Sequence, residues 1–149
     1  MITTTDLRNK FDDYASGELL RARTSISLND DDGSACTCCV VFRHDKSYRT
    51  FENGLHFFVN ALRSLQSSGA IFDPIRWDKG KKLQPILEEV FLAIATRCVD
   101  EAGQGVTLGF RGKYIAGLGT PSDSLYQVLV AEFEHEYVAL FWARAIFAE

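Results

Sequence analysis

A Cys-x-x-Cys spacing lies at residues 36–39, where the sequence reads CTCC, and this pattern is typical of zinc binding or thiol redox chemistry. His44 follows closely and could serve as a nitrogen ligand. In an extended strand, however, Cys36 and Cys39 would point to opposite faces, and no second Cys-x-x-Cys is present to complete a set of four ligands. We therefore predict that these thiols and Cys98 are reduced, metal-free core residues, and we expect no cofactor.

Acid–base catalysis is the second chemistry that the residue types allow, because the chain carries His44, His56 and His135 together with many carboxylates. His135 and Glu136 begin the zinc-protease motif His-Glu-x-x-His, but the second histidine of that motif is missing. The spacing of the remaining residues does not single out a catalytic pair. Since catalytic groups converge in space rather than in sequence, a small intracellular enzyme built on Cys39, His44 or His56 stays open as an alternative.

Three carboxylates alternate with other residues near the C-terminus: Glu132, Glu134 and Glu136. The polar residues after position 123 do not follow a helical period, whereas an extended strand would place these glutamates on one side and apolar side chains on the other. An ordinary solvated strand face is the plainer interpretation of such a row. The hypothesis with functional content is an acidic ridge that attracts and holds a basic partner, with these three glutamates as the partner-binding residues.

The distribution of charge also favours a basic partner. The 149 residues carry a formal net charge of -4, and residues 83–149 contain four basic against nine acidic side chains. Nucleic-acid-binding domains usually present a clustered positive field, so we expect no nucleic-acid partner. The chain also lacks an uninterrupted apolar run long enough to cross a bilayer, so we expect no membrane insertion and a cytoplasmic location.

Hydrophobic periodicity predicts a single α+β domain over residues 1–149, with a mainly antiparallel sheet packed against about three helices. Helices are predicted at 4–17, 53–69 and 85–103, and strands at 20–28, 36–43, 48–51, 106–111 and 114–115, with a further strand after 123. The second helix should begin at an Asn53 cap and bury Phe58. The third should have Pro85 in its first turn and a core face made of Leu87, Val90, Phe91, Ile94 and Cys98.

These observations favour a non-enzymatic binding protein, of which an immunity-type protein that neutralises a basic, nuclease-like toxin is the most concrete case. A secretion-chaperone-like binding protein is an alternative, suggested only by the order of helices and strands. The small enzyme described above is the alternative from a different class. The sequence is compatible with self-association into a homo-oligomer and does not identify the partner.

Overall fold

The computed structural model describes residues 24–29, 35–67, 83–101, 109–120 and 126–146. These ranges contain, in chain order, β1 (Thr24–Asn29), β2 (Ala35–Asp45), a 3₁₀ turn (Lys46–Tyr48), α1 (Gly54–Ser67), β3 (Gln84–Pro85), α2 (Glu88–Glu101), β4 (Tyr114–Gly119), β5 (Tyr126–Phe133) and β6 (Glu136–Ile146). The predicted α+β class with an antiparallel sheet is therefore confirmed, with two helices in the described ranges. The helix predicted at 4–17 lies outside them.

The sheet has the strand order β1-β2-β6-β5-β4-β3, and every neighbouring pair is antiparallel. The last strand, β6, lies near the centre and pairs with β2 over eleven residues on one side and with β5 on the other. Because this strand is covered on both faces, its residues from Tyr137 to Trp142 are all buried. Such a continuous apolar run is typical of a strand that contacts a core on both sides.

One helix packs on each face of the sheet. Because successive strand residues point to opposite faces, Val128 and Val130 belong to the core under α1, whereas Leu129 and Ala131 belong to the core under α2. The α1 layer contains stacked and edge-on aromatic pairs among Phe42, Phe58 and Phe141. The α2 layer contains Phe91 together with the buried Cys39 and Cys98. The prediction that these two cysteines are core residues is confirmed.

Helix α1 follows its prediction closely. The Asn53 side chain caps it, because Asn53 Oδ1 accepts a hydrogen bond of 2.9 Å from the backbone N–H of His56. Phe58, Val59 and Leu62 are buried against the sheet as the helical period requires. The sequence was therefore sufficient to place the start of this helix and part of its core face. Asn60, predicted on the polar face, is buried, and so are Phe57 and Ala61, so the covered face is wider than the apolar spacing predicts.

Helix α2 begins later than predicted and is rotated. Pro85 is not in the helix but in the two-residue strand β3, and the helix starts at Glu88. Leu87 and Val90 are exposed, and the buried face is formed by Phe91, Ala95, Cys98 and Val99. These four positions have the spacing i, i+4, i+7 and i+8, which is a second apolar stripe that competes with the predicted one. None of the helices in the described ranges is long and apolar enough to span a membrane.

Two strand predictions are wrong. The segment 48–51, predicted as a strand, instead contains the end of the 3₁₀ turn and the irregular residues after it. Asp45 Oδ1 caps the turn by accepting a 2.8 Å hydrogen bond from Ser47 N, and Arg49 ends it in a left-handed conformation with φ 51°. Phe110, predicted in a hairpin with 114–115, is outside any strand, and β4 pairs with β5 and β3. A side-chain cap determines the backbone in the first case, and pairing with a distant strand determines it in the second. The local alternation of apolar residues indicates neither.

Candidate functional site

A recess lies at the end of the sheet where β2 leads into the 3₁₀ turn. It has a volume of about 490 Å³ and is lined by Arg43, His44, Asp45, Tyr48, Gly109, Arg111 and Glu136. Two of these residues are brought together by strand register, since Asp45 lies opposite Glu136 at the last pair of the β2–β6 ladder. The lining is polar and charged, unlike the mostly apolar pockets that bind small organic ligands.

Backbone hydrogen bonds fix the loop that forms one wall of the recess. Glu134 N donates to Lys113 O at 2.8 Å and His135 N donates to Arg111 O at 3.2 Å, so the segment before β4 is tied to the turn between β5 and β6. Gly112 has φ 86°, and a Cβ at this position would lie 2.6 Å from the Glu134 Cβ. Only glycine permits this approach without displacement of the neighbouring turn.

The base of the recess is an ion pair between the half-buried Arg43 and the buried Glu136. Arg43 Nε and Nη2 donate to the two Glu136 carboxylate oxygens, each at 2.7 Å, and Nη2 also donates to Gly109 O at 2.6 Å. Glu136 Oε2 accepts a further hydrogen bond of 2.6 Å from Arg111 N. The guanidinium lies 5.5 Å from the centre of the Phe110 ring. The hydrogen bonds to Glu136 raise the pKa of the Arg43 guanidinium, and burial opposes that effect only in part. The base is thus a fixed, charge-neutral unit.

The rim of the recess consists of exposed residues. Arg111 Nη1 donates to Asp45 Oδ2 at 2.8 Å, but the Arg111 side chain is 65% exposed. Tyr48 is 67% exposed. The pKa of Asp45 is lowered, mainly by its hydrogen bonds from Ser47 and secondarily by the positive charge of Arg111, so this carboxyl remains ionised to lower pH than usual. The rim therefore combines a fixed carboxylate with two side chains that solvent and a partner can reach.

A cluster of aromatic rings lies next to Tyr48 of the rim. The His44 ring lies 4.7 Å from the Phe51 ring and 5.9 Å from the Tyr48 ring, and the His56 ring lies 5.1 Å from the Phe51 ring, all measured between ring centres. The structure thus brings His44 and His56 to one aromatic cluster in which both contact Phe51. Cys39, the third residue of the enzyme alternative, is buried under α2. It lies an odd number of residues before His44 on β2, so the two side chains point to opposite faces of the sheet. The three do not form one site.

The three glutamates of the predicted acidic ridge do not share one side of a strand. The prediction of extended chain is confirmed, but Glu134 and His135 form a turn that separates β5 from β6. Glu132 therefore points to the α1 side, where its Oε2 accepts a 2.5 Å hydrogen bond from Lys46 Nζ. Glu136 points to the α2 side and is buried at the base of the recess. The predicted common side is therefore wrong. The sequence did not indicate the turn, because Glu134 and His135 include no glycine, proline or asparagine, the residues that usually mark one.

Glu134 is the most exposed of the three carboxylates, with 51% of its side chain accessible. Its carboxylate lies 2.9 Å from Nε2 of His135, which is itself 63% exposed. Sequence reasoning thus named one residue of the base, Glu136, and one exposed residue that does not line the recess, Glu134, but assigned both the same role. It missed Arg43, Arg111 and Tyr48. The one signal for Arg43 was a charged residue directly after the apolar run Val40–Phe42.

Within the described ranges, no three His, Cys, Asp or Glu side chains converge in the way that a metal ion would require. Comparison of the chain with protein-family models, with curated proteins and with solved structures finds no match. The function must therefore be argued from the geometry of the recess itself.

Proposed function

We propose that this is a non-enzymatic binding protein that docks another protein on the rim of the recess. The observation that carries the proposal is the exposure of Tyr48 and Arg111 at the edge of a concavity whose base is rigid. Tyrosine and arginine are the residue types, with tryptophan, in which binding hot spots are enriched. A recess edged by both has the composition of a contact surface rather than of a solvated end of a sheet.

Rigidity of the base favours binding because less conformational freedom is lost on association. Three separate segments meet there: the end of β2, the loop that precedes β4 and the start of β6. The Arg43–Glu136 pair and the Arg43–Gly109 hydrogen bond join them. Lys46 adds a connection to the end of β5, because its Nζ donates to Glu132 and to Phe133 O at 3.1 Å and lies 5.1 Å from the Tyr137 ring centre.

The identity of the partner is proposed from charge. A net charge of -4 and the exposed carboxylate of Glu134 favour a partner whose surface is basic overall. An immunity-type protein that neutralises a basic toxin in the cytoplasm fits this profile, and a secretion chaperone is a variant of the same class. Of the three glutamates first considered as partner-binding residues, Glu134 is best placed to meet a partner, Glu132 is engaged with Lys46, and Glu136 serves the base.

The enzymatic alternative has less support, because of its three candidate residues only His44 lines the recess, and Cys39 is buried under α2. A general base must be within hydrogen-bond reach of the group from which it takes a proton. The four charged residues that line the recess are held in two ion pairs that stabilise both charges, and this arrangement suits recognition better than proton transfer.

The proposal is tested by affinity capture from the native host with three baits: the parent chain, Tyr48→Ala and Leu87→Ala. Leu87 is a matched control, because it is 69% exposed, is also large and apolar, and does not line the recess. We expect one partner to be retained by the parent and by Leu87→Ala. For Tyr48→Ala we expect binding weaker by about 2 kcal/mol, roughly 30-fold. Equal retention by all three baits would remove the recess from the proposal.

The proposed basic character of the partner has its own measurement. With the captured partner, Glu134→Lys should slow association about threefold at low salt and reduce the salt dependence of the rate, because rim charges act mainly on encounter. Glu89→Lys, an exposed glutamate on α2, makes the same change in net charge elsewhere. If both reversals change the rate equally, the net charge of the chain matters and the position of Glu134 does not.

A further inference from the structure

We propose that the recess receives a carboxylate side chain of the partner, which binds Arg111 in exchange for Asp45. This inference rests on the proposed binding function and specifies the chemical group that enters the recess. A partner that is basic overall would then present one acidic anchor within its contact surface.

The hydrogen-bonding inventory of the recess is the first argument. Its carboxylates are already engaged: the oxygens of Glu136 accept from Arg43 and from Arg111 N, and those of Asp45 accept from Ser47 N and Arg111. Gly109 O accepts from Arg43 as well. Arg43 Nη1, Arg111 Nε and Nη2, and the Tyr48 hydroxyl donate to no acceptor among the residues that the structure describes. These unused N–H and O–H groups can donate to a ligand group that is rich in acceptors.

The two arginines differ in how easily they can change partner. Arg43 is 24% exposed, donates from two nitrogens to Glu136 and is held against Phe110, so it remains in place. Arg111 is 65% exposed and donates to Asp45 from a single nitrogen. Exposed ion pairs of this kind contribute little to stability. Arg111 can therefore leave Asp45 and bind a new carboxylate at small cost.

A carboxylate fits the vacated guanidinium better than other charged groups. The planar fork of Arg111 matches two carboxylate oxygens, and such two-point pairs are stronger than single hydrogen bonds. Asp45 keeps its hydrogen bond from Ser47 and is partly exposed to water, so it remains solvated when Arg111 turns away. A phosphate dianion would bring about twice the repulsion from Asp45 and Glu136, and a lysine would meet two guanidinium groups.

The test uses the full-length ¹⁵N-labelled chain titrated by NMR with N-acetylglutamate amide. Two further titrants serve for comparison: N-acetylglutamine amide, which is neutral and has nearly the same shape, and inorganic phosphate. We expect saturable shifts at the amide and the side-chain Nε–H of Arg111 with the glutamate compound, and a dissociation constant in the millimolar range. The glutamine compound and phosphate should bind at least tenfold more weakly. Equal or tighter binding of either comparison compound would overturn the proposal.

Two variants and one control distinguish a specific site from general charge attraction. Arg111→Gln should weaken binding of the glutamate compound at least tenfold, whereas Arg97→Gln, an exposed arginine on α2, should leave it unchanged. Asp45→Asn should tighten binding severalfold, because it removes the competing charge while its side-chain oxygen can still accept from Ser47 N. Unchanged binding by Arg111→Gln, or weaker binding by Asp45→Asn, would contradict the exchange.

This outcome is separable from that of the binding proposal. If no saturable binding of the glutamate compound is found but a captured partner is lost by Tyr48→Ala, the protein docks a partner and the carboxylate anchor is wrong. If the compound binds as expected but no captured partner depends on Tyr48, the recess binds carboxylates and the docking proposal fails.

Discussion

The base and the rim of the recess each contain an arginine paired with a carboxylate at nearly the same distance, 2.7 Å for Arg43 and Glu136 and 2.8 Å for Arg111 and Asp45. Their surroundings differ. The Glu136 side chain is 3% exposed and accepts three hydrogen bonds, whereas the Arg111 side chain is largely in water. Distance alone would rank the two pairs as equal. Their different burial predicts different costs of mutation. Loss of a buried partner leaves an uncompensated charge, whereas water replaces a partner that is exposed.

The aromatic residues packed on the two faces of the sheet should give the largest loss of stability when replaced. Phe58 and Phe91 are fully buried on opposite faces, so replacement of either by Ala should lower the free energy of unfolding by about 3 to 5 kcal/mol. The measurement is urea denaturation of each variant against the parent. Leu92→Ala on the exposed side of α2 is the control and should change stability by no more than about 0.5 kcal/mol. A melting temperature within a degree or two of the parent for either phenylalanine variant would contradict the assigned layers.

The base of the recess should come next in magnitude. Glu136→Gln keeps the shape but removes the charge opposite Arg43, and we expect a loss of about 2 to 3 kcal/mol. This figure is below the 3 to 5 kcal/mol typical of a fully buried pair, because Arg43 is partly hydrated. The double variant Arg43→Gln/Glu136→Gln should recover part of the loss in a double-mutant cycle. Additive effects of the two changes would mean that the pair is not coupled, and the distinction between base and rim would then lose its basis.

The distinction between base and rim was not accessible from the sequence. Alternation of apolar residues was enough to predict the extended C-terminal segment, and helical spacing was enough to bury Phe58 and Phe91. Arg43 and Glu136, however, are 93 residues apart, and only the insertion of β6 beside β2 brings them together. Strand order is a tertiary property that local periodicity does not contain.

The separate roles of Glu132, Glu134 and Glu136 were missed for a related reason. Their equal spacing of two residues predicts one common side only if the strand is continuous. A turn at Glu134 and His135 reverses the chain and places the flanking glutamates on opposite faces. The pattern correctly predicted extended chain around the three glutamates but could not show which of them is buried and which is exposed.

The rim should be nearly neutral for stability. Arg111→Gln removes a side chain that is mostly in water, so the free energy of unfolding should change by no more than about 0.5 kcal/mol in urea denaturation. The Glu136 contact is kept, because it is made by the backbone N–H of Arg111. A loss comparable with that of Glu136→Gln would place Arg111 with the base, and it would also make the proposed exchange of partners energetically costly.

The smallest expected effect is a pH dependence at Asp45. Its pKa in the folded protein lies below the value of about 3.9 that an unperturbed aspartate has, mainly because Ser47 donates to the carboxylate. Between these two pKa values the unfolded chain binds more protons than the folded one, so the stabilisation by Asp45 is present above about pH 4 and is lost as the pH falls through the folded value. Asp45→Asn should therefore melt slightly below the parent near neutral pH, and the difference should shrink in a series of thermal melts from about pH 6 down to about pH 2. Asp100→Asn, at an exposed position on α2, provides the control for the general loss of one carboxylate. A difference between Asp45→Asn and the parent that stays constant with pH would show that the ionised carboxylate does not stabilise the turn, and the rim would then lack the fixed anion that Arg111 is proposed to leave.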